Sequence, residues 1–309
     1  MERVTGGAAL PQHCRGGIVA LGNFDGFHRG HQAVVGRALK TARAKGVPAL
    51  AASFDPHPAR LFRPDLPPFA LTRICQRLDL FAAFGLDAAV VIPFDRALAS
   101  LPAEEFVTEW LVGRLGVSGV VTGLDFTFGR GRGGSQKLLA EMGQSLGFTA
   151  DVVAPITDKE GVISSSRVRA LLAVGDPAGA TQLLTRPFCV RAVVEHGAKF
   201  GRTLGFPTAN MRLGDYQRPA YGVYAVMAVL PGGERVKGVA NFGIRPMVEG
   251  APEELLETWL MDFEGDLYGQ QISVEFHHFL RPEWKLSSFD ALIQQITADA
   301  EAARKLLGA

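Results

Sequence analysis

The sequence has few of the features that mark secreted, membrane-spanning or nucleic-acid-binding proteins. Its 309 residues include only three cysteines, Cys14, Cys75 and Cys189, which form no Cys-x-x-Cys pair, so a disulfide framework is not expected. The formal net charge of +1 gives no global field toward nucleic acid or an anionic membrane. No apolar run reaches membrane-spanning length, and the amino terminus lacks a signal-peptide pattern. We therefore expect a cytoplasmic monomer or weak homo-oligomer, without a nucleic-acid or membrane partner.

The length and the patterning that are present predict two domains, 1–186 and 187–309. In the first, apolar runs alternate with helical spacing, which is typical of an α/β, Rossmann-like domain with an open parallel sheet. In the second, short strands separated by turns indicate a small antiparallel β-barrel with a terminal helix. One predicted strand ends at Leu21, and the others span 49–54, 87–93, 117–123, 189–195, 223–230, 236–242, 256–263 and 272–280. Predicted helices start at Gly30, within 163–169 and after Ser287, and two more span 104–115 and 136–146.

The segment from Gly22 to His31 reads Gly-Asn-Phe-Asp-Gly-Phe-His-Arg-Gly-His and is the most informative in the chain. It joins a predicted strand to a helix that should end at Gly46. Free N–H groups at a helix amino terminus favour anions, and the glycines allow close approach of a ligand. The alternatives are a plain tight turn or a metal-binding histidine pair, but no further Cys or His follows at zinc-ligand spacing. We interpret the segment as a phosphate-binding turn that His28 and His31 can reach.

Three other segments of the first half carry polar groups at the ends of predicted strands or at a helix start. Prolines on both sides aim His57, and Asp125 stands between a buried strand and two phenylalanines. Ser165, Ser166 and Arg169 open a helix, where hydroxyl and guanidinium groups can hold a polyphosphate. Taken singly, these segments are also compatible with a rigid turn, a flexible loop and an ordinary helix cap.

In the second half, a glycine-rich loop and one strand glutamate suggest a second site. The loop could approach phosphates closely, and its hydroxyl and amide oxygens suit Mg²⁺, although a plain barrel loop is the alternative. No Gly-Lys-Ser/Thr sequence opens a helix here, so it is not a Walker loop. Glu257 shares a predicted strand face with Trp259, and a glutamate in that place is ordinarily only solvated. The loop residues concerned are Gly197, Lys199, Gly201, Phe206, Thr208 and Asn210.

In order and spacing, these motifs resemble the bacterial bifunctional riboflavin kinase/FAD synthetase family over residues 16–307. The resemblance implies two reactions with ATP and Mg²⁺: riboflavin is phosphorylated to FMN, and FMN is adenylylated to FAD with release of pyrophosphate. It implies that His28 and His31 contact ATP phosphates and that Glu257 is the general base on the riboflavin 5′-hydroxyl. The glycine-rich loop of the second half would bind ATP and riboflavin, with Thr208 and Asn210 as metal ligands. The implied ATP- and FMN-binding residues of the first half are Gly22, Phe24, Asp25, Gly30, His57, Asp125, Ser165, Ser166 and Arg169.

The sequence departs from the family pattern at one loop and leaves two alternatives open. Ile244 and Met247 stand where the family usually has two threonines, so a chain with a single live activity is one alternative, with the kinase as the activity in question. A non-catalytic flavin carrier or sensor is the other. It would bind flavin without ATP turnover and would be expected to lack the charged and hydroxyl residues, all of which are present here.

Overall fold

The structure is a computed structural model, and it describes residues 1–196, 206–245, 253–284 and 288–308. The chain divides into two compact units, Met1–Pro67 with Arg73–Ser164 and Pro68–Thr72 with Ser165–Ala309. Among the helices within the described residues, none has both the length and the apolar character that a bilayer crossing requires.

The first unit is built on a six-stranded parallel sheet. Its strands are β1 (Glu2–Val4), β2 (Ile18–Leu21), β3 (Ala49–Asp55), β4 (Ala88–Pro93), β5 (Gly119–Gly123) and β6 (Thr149–Val153). Their spatial order is β1-β4-β3-β2-β5-β6, so β2 pairs with β3 on one side and with β5 on the other. The chain builds from β2 through β3 to β4 and then returns to place β5 on the opposite side. The order of the strands therefore reverses between β2 and β5.

Buried clusters cover both faces of this sheet, as the predicted parallel architecture requires. Val19 and Leu21 of β2 belong to one cluster, and Ile18 and Ala20 belong to the other. This alternation explains why the strands read as continuous apolar runs in the sequence. The helices of this unit are α1 (Arg29–Lys45), α2 (Pro58–Phe62), α3 (Ile74–Ala83), α4 (Arg96–Ser100), α5 (Ala103–Glu105) and α6 (Gln136–Leu146), and a small hairpin of β7 (Thr157–Asp158) and β8 (Gly161–Val162) follows β6.

The helix predicted at 104–115 is present but has an unexpected form. After α5 the chain continues as a π-helix over Phe106–Arg114. Its wider turns are visible in the bond from the Leu115 N–H group to the Trp110 carbonyl, which spans five residues at 2.9 Å. Apolar spacing gives no warning of such a change. The edge strands β1 and β6 were also missed, because they are short or only partly buried.

The second unit contains an antiparallel sheet of six strands. They are β9 (Phe188–Val193), β10 (Thr208–Met211), β11 (Gly222–Val229), β12 (Arg235–Arg245), β13 (Glu253–Leu260) and β14 (Gln271–Arg281). Their order is β10-β13-β12-β11-β14-β9. The two ends of this order also contact each other: just after β9, the Glu195 N–H group donates to the Asn210 carbonyl of β10 at 2.8 Å. The sheet thus curls on itself, which agrees with the predicted small antiparallel barrel.

In the part of the second unit that the structure describes, three helices accompany the sheet: α7 (Ser165–Ala173), α8 (Pro177–Leu184) and the terminal α9 (Phe289–Leu306). Ala300 and Ala303 of α9 pack on Val223, Ala225 and Val239, which lie on the outer face of the curled sheet. This packing confirms the predicted terminal helix.

The amino-terminal cap of α9 differs from the prediction. The sequence favoured Ser287, but the cap is Ser288, whose hydroxyl accepts a hydrogen bond from the Ala291 N–H group at 3.2 Å. Ser287 itself lies outside the described residues. Two adjacent serines offer the same cap chemistry, so the sequence could not separate them.

Two ion pairs connect α9 to the strands. Arg281 donates to both carboxylate oxygens of Asp299 at 2.7–3.1 Å, and both side chains are largely buried. Arg304 pairs with Asp262 at 2.5 Å, but both of these side chains are largely exposed. Only the first pair is well shielded from solvent.

Candidate active sites

Three of the motifs predicted from the sequence leave the carboxyl ends of adjacent strands in the first unit. The turn with His28 follows β2, the loop with His57 follows β3, and the loop with Asp125 follows β5. Because β3, β2 and β5 are neighbours, the three loops share one edge of the sheet beside the point where the strand order reverses. Open α/β sheets bind ligands at such an edge.

The turn after β2 has an unusual backbone that two buried rings support. Phe24 and Phe27 have φ values of 51° and 42°, and Gly26 has 83°. Both rings are buried and make edge-to-face contacts with Phe81 at 5.6 and 5.3 Å between centroids. Phe24 is one of the residues that the resemblance implies bind ATP and FMN. The structure places its side chain in the core, where it supports the turn, so its backbone is the part that can face a ligand.

His28 caps α1 with its own side chain. Its Nδ1 accepts hydrogen bonds from the N–H groups of Gly30 and His31 at 3.1 and 3.4 Å. This acceptor role places the proton of the neutral ring on Nε2. The two imidazoles stack with centroids 3.6 Å apart. The sequence favoured free N–H groups at this helix start as donors to an anionic ligand. In the structure, the N–H groups of Gly30 and His31 donate to His28 instead.

Gly30 is the point of closest approach in this segment. A Cβ at this position would lie 3.0 Å from the His28 ring and 3.2 Å from the carbonyl oxygen of Ile163. Ile163 immediately precedes the predicted serine-rich motif and is buried. Gly22 is similarly restricted, since its Cβ would lie 3.1 Å from the Phe24 ring. A side chain at either glycine would therefore be tight and would require its neighbours to shift by a few tenths of an ångström.

His57 repeats the arrangement of His28 on the neighbouring strand. Its Nδ1 accepts from the Ala59 N–H group at 3.1 Å and caps α2, with Pro58 as the first helical residue. The neutral ring again carries its proton on Nε2. Two histidines at the ends of β2 and β3 thus each have one nitrogen fixed by the backbone.

The loop after β5 is held by a residue that the sequence did not single out. The Gln136 side-chain amide donates to the carbonyls of Gly123, Leu124 and Phe126 at 2.5–3.2 Å. Asp125 lies within this bracket and is exposed, and its Oδ1 is 3.2 Å from the position of a Cβ on Gly123. The loop therefore presents its carboxylate to solvent on a fixed backbone.

A second residue that the sequence reasoning missed is Arg77, which is only 4% exposed. Its Nη1 donates to the Asn23 carbonyl at 2.8 Å and to the Ser53 hydroxyl at 2.9 Å, and Ser53 donates to the same carbonyl. Burial lowers the pKa of Arg77, and the nearby carboxylates of Asp25 and Asp55 oppose this shift.

The sequence did contain a signal for Arg77. The helix α3 buries Leu78 and Phe81 at helical spacing, and Arg77 lies on the same face. A charged residue on the apolar face of an amphipathic helix requires a polar partner. The same helix also lines a cavity of about 310 Å³ with Asp55, through Ile74, Cys75 and Leu78. The cavity adjoins the loop that carries His57.

The serine- and arginine-containing motif begins α7, in the second unit. Ser166 is exposed and Ser165 is partly buried. Arg169 donates from Nε to the Phe69 carbonyl at 2.8 Å and stacks over the Phe69 ring at 5.2 Å. Part of this guanidinium therefore has a structural role that the sequence did not indicate.

In the second unit, Glu257 lies between two asparagines on neighbouring strands. It is directly opposite Asn210 of β10 and Asn241 of β12. Directly opposed residues in an antiparallel sheet project from the same face, so these three side chains form a polar row. The amide groups donate to the Thr208 carbonyl at 3.1 Å and to Glu283 at 2.9 Å. Both amide oxygens are buried without a hydrogen-bond partner among the described residues.

The rest of the predicted second site is only partly described. Thr208 pairs with Trp259 across the strands, so it shares the face of Glu257, and the Phe206 ring meets Trp259 edge to face at 4.8 Å. Ile244 is 49% exposed at the end of β12. The other predicted positions, Gly197, Lys199, Gly201 and Met247, lie outside the described residues.

Comparison with protein families matches both halves of the chain. A family model described as FAD synthetase matches residues 10–167, and one described as riboflavin kinase matches residues 184–307. A protein of Pseudomonas fluorescens is 41% identical over 96% of this chain and 94% of its own length. Proteins of Escherichia coli K12 and Bacillus subtilis are 40% and 36% identical, over 95% and 93% of this chain and 93% and 91% of their own lengths. All three are named bifunctional riboflavin kinase/FMN adenylyltransferase.

One solved structure has the same overall fold. A crystal structure from Streptococcus pneumoniae, described as a macrolide-efflux protein, superimposes with a TM-score of 0.88 at 29% identity. The match covers 98% of this chain and 99% of that one. The arrangement of strands and helices described above is therefore shared along the whole length of both chains.

Proposed function

The chain belongs to the bifunctional riboflavin kinase/FMN adenylyltransferase family, and from this premise we propose how its residues divide the two reactions. The enzyme phosphorylates riboflavin with ATP to give FMN and transfers an adenylyl group from ATP to FMN to give FAD and pyrophosphate. We assign adenylyl transfer to domain 1–186 and phosphorylation to domain 187–309. The separate matches of the two family models to residues 10–167 and 184–307 support this assignment.

Adenylyl transfer depends more on the placement of ATP and FMN than on the activation of a nucleophile. A phosphate oxygen of FMN attacks the α-phosphorus of ATP, the bond from that phosphorus to the bridging oxygen breaks, and pyrophosphate leaves. The attacking oxygen is already anionic, so no base has to remove a proton from it. The barrier arises from repulsion between two polyanions and from charge on the leaving group, which fixed donors can stabilise.

We assign His28 and His31 as donors to the ATP phosphates. The support for His28 is that its Nδ1 is held by two backbone N–H groups, which orients the ring and leaves the proton on Nε2. Its stacking on His31 holds the two rings parallel to within 23°. The remaining predicted contacts to ATP and FMN are kept as part of the proposal: Gly22, Phe24, Asp25, Gly30, His57, Asp125, Ser165, Ser166 and Arg169.

For the kinase reaction we assign Glu257 as the general base. The 5′-hydroxyl oxygen of riboflavin attacks the γ-phosphorus of ATP, the bond from that phosphorus to the ADP oxygen breaks, and the hydroxyl proton passes to the Glu257 carboxylate. Phe206 and the loop positions Gly197, Lys199 and Gly201 would hold ATP and riboflavin. The position of Glu257 in a polar row on three strands supports its role, because rigid elements place a base more precisely than loops do.

The residues assigned to Mg²⁺ fit a hard cation. Asn210 has a buried side-chain oxygen that lacks a hydrogen-bond partner among the described residues, and Thr208 lies two residues away on the same face. Neutral oxygen donors of this kind are typical Mg²⁺ ligands alongside substrate phosphates. When bound, the ion would neutralise charge on the phosphates of ATP.

We further propose a cytoplasmic monomer or weak homo-oligomer that acts on small molecules alone. The support for the compartment is that Cys14, Cys75 and Cys189 are all free, as expected where thiols stay reduced.

The observation that carries the proposal is the match of nearly the whole chain to relatives named for both activities, together with one polar site in each unit. The test supplies riboflavin, ATP and Mg²⁺ to the purified protein and follows the flavins by chromatography. FMN should rise first and FAD should follow, with ADP and pyrophosphate released. A protein that releases neither ADP nor pyrophosphate, with riboflavin or with FMN as acceptor, would overturn the proposal.

A further inference from the structure

We propose that Arg77 is a positioning residue for adenylyl transfer, which acts by fixing the turn that leads to His28. This inference rests on the proposed role of His28 in the first unit. Three features of Arg77 support this role: the peptide group that it holds, the charges around it, and the three elements that it joins.

Arg77 holds the peptide group at which the turn becomes unusual. The Asn23 carbonyl accepts from both the Arg77 guanidinium and the Ser53 hydroxyl. Since the peptide unit is planar, two hydrogen bonds to this carbonyl also fix the N–H side, which belongs to Phe24. Phe24 is the first of the residues with positive φ in the turn. Such conformations persist only where the surroundings over-determine them, and this pair of bonds supplies that restraint.

The buried guanidinium of Arg77 has carboxylates near it that partly offset its loss of hydration. A buried guanidinium is unfavourable unless charges and acceptors compensate for its lost hydration. Asp25 comes from the turn itself and Asp55 from the end of β3, and both interact electrostatically with Arg77. The Arg77 Nε has no hydrogen-bond partner among the described residues. A purely apolar side chain would stabilise this helix face more simply, so the charge needs a reason.

Arg77 also joins three elements that have to keep their spacing. It stands on α3, it bonds Ser53 of β3, and it bonds the turn after β2. His28 lies five residues beyond Asn23 in the same turn. A displacement of about 1 Å at a reacting group can cost about a hundredfold in rate. Releasing the Asn23 carbonyl should therefore misplace His28 without removing any group that touches a substrate.

The test compares substitutions in the full-length enzyme. Arg77→Met removes charge and donors but keeps an unbranched chain, and Arg77→Lys keeps the charge and some donors. Ser53→Ala removes one of the two bonds to the Asn23 carbonyl, together with the hydroxyl that accepts from Arg77. Arg43→Met is the matched control, because Arg43 also donates to a backbone carbonyl, that of Gly85, but it is exposed near the end of α1 and pairs with Asp87. Adenylation of FMN and phosphorylation of riboflavin are measured on the same samples, with thermal unfolding alongside.

We expect Arg77→Met to lower kcat for FMN adenylation by about a hundredfold, with a much smaller change in KM for ATP. Arg77→Lys should retain about a tenth or more of the wild-type kcat for FMN adenylation. Ser53→Ala should lower that kcat by about three- to tenfold. Riboflavin phosphorylation should stay within about twofold in all of them, and Arg43→Met should leave both activities unchanged.

Wild-type kcat for adenylation in Arg77→Met would overturn the inference. If that variant does not fold in the first unit, the decision passes to Arg77→Lys and Ser53→Ala: a selective fall in their kcat supports a positioning role, and full activity in both overturns it. A rise in KM for ATP alone, with kcat retained, would also overturn it. A wild-type enzyme that does not adenylate FMN would instead contradict the proposed function.

Discussion

At the scale of single residues, His28 shows how one side chain can serve both fold and chemistry. One ring nitrogen caps α1, and the same bonds decide which nitrogen carries the proton. The ring is therefore already oriented before ATP binds at the proposed site. Its burial and its stacking on His31 restrict it further, and His31 in turn contacts the Phe24 ring edge to face.

Replacing His28 by Ala should lower kcat/KM for FMN adenylation by about a hundredfold or more, because a preorganised donor is lost. Riboflavin phosphorylation should remain near the wild-type rate, since the kinase residues are in the other unit. Separate assays with FMN and riboflavin check this. His13→Ala, at an exposed position, serves as the control. An equal loss of both activities in the His28 variant would contradict the two-site assignment.

Glu257→Gln should abolish riboflavin phosphorylation and spare adenylation of supplied FMN. The amide has nearly the shape of the carboxylate but cannot accept the hydroxyl proton. Initial rates of ADP release with riboflavin and of pyrophosphate release with FMN measure the two reactions. Glu253→Gln is a suitable control, because it lies on the same strand and should lose only its ion pair with Arg212. An unchanged kinase rate in Glu257→Gln would refute the assignment.

The sequence could point to residues in compact motifs but not to their supports. His28, His31 and Asp125 were found because short patterns surround them. Arg77 and Gln136 act on backbone carbonyls that are distant in the chain, so their partners are visible only after folding. Asn241 was missed for a similar reason: its place beside Glu257 depends on strand register, which a single strand pattern does not fix.

At the scale of elements, Gly36 inside α1 and Gly46 at its carboxyl end have opposite roles. Gly46 ends the helix in the left-handed conformation with φ 64°, and a Cβ there would meet no atom within 4 Å. Gly36 lies inside the helix, and its Cβ would only touch the Phe84 ring at 3.8 Å. Sterics are mild at both places, so backbone conformation alone distinguishes them.

We expect Gly46→Ala to destabilise the first unit by about 1 kcal/mol, since alanine disfavours the left-handed region. Gly36→Ala should stabilise it by about 0.5–1 kcal/mol, because alanine loses less backbone entropy in a helix. Denaturant unfolding of the two variants, followed by circular dichroism, provides the measurement. The two substitutions are each other's control, and shifts of the same sign would contradict the argument.

The terminal helix α9 offers a second test at this scale, through its two ion pairs. Asp299→Asn should destabilise the second unit by about 3 kcal/mol, because it leaves the buried Arg281 guanidinium without its counter-charge. Asp262→Asn, at the exposed pair with Arg304, should cause no measurable loss. Unfolding monitored by kinase activity and fluorescence checks both. Equal effects would show that burial of the pair does not decide its contribution.

Elements were predicted well where one physical signal dominates. Continuous apolar runs located β2 to β5, and Gly46 and the helical spacing located α1. The π-helix after α5 escaped because apolar side chains report spacing and not which carbonyl each N–H group reaches. The short strand β10 escaped because it lies inside the glycine-rich motif and gains its order from pairing with β13.

At the scale of the whole molecule, the product of the first reaction is the substrate of the second. The proposed residues for the two reactions do not overlap, so each activity can be removed alone. If FMN leaves the kinase site before it is adenylylated, the two reactions need not occur on the same molecule.

An equimolar mixture of His28→Ala and Glu257→Gln enzymes should therefore convert riboflavin to FAD, although neither variant does so alone at a useful rate. FMN should accumulate first, and FAD should follow with a lag that shortens as enzyme concentration rises. Flavin chromatography over time provides the measurement, with each variant alone as the control. A mixture that makes FMN but no FAD would show that FMN does not pass between molecules.

The crowding around Gly30 sets a limit on how this enzyme can be re-engineered. Any larger residue at position 30 would press on the imidazole and on the carbonyl of Ile163 together, so a change there cannot be absorbed by one neighbour alone. Attempts to widen the range of accepted nucleotides are better aimed at the solvent-facing rim, such as Leu124 next to Asp125, where bulk can be added freely. Of the two positions, Gly30 is thus the one where added bulk disturbs two neighbours at once, and Leu124 is the one with room in solvent.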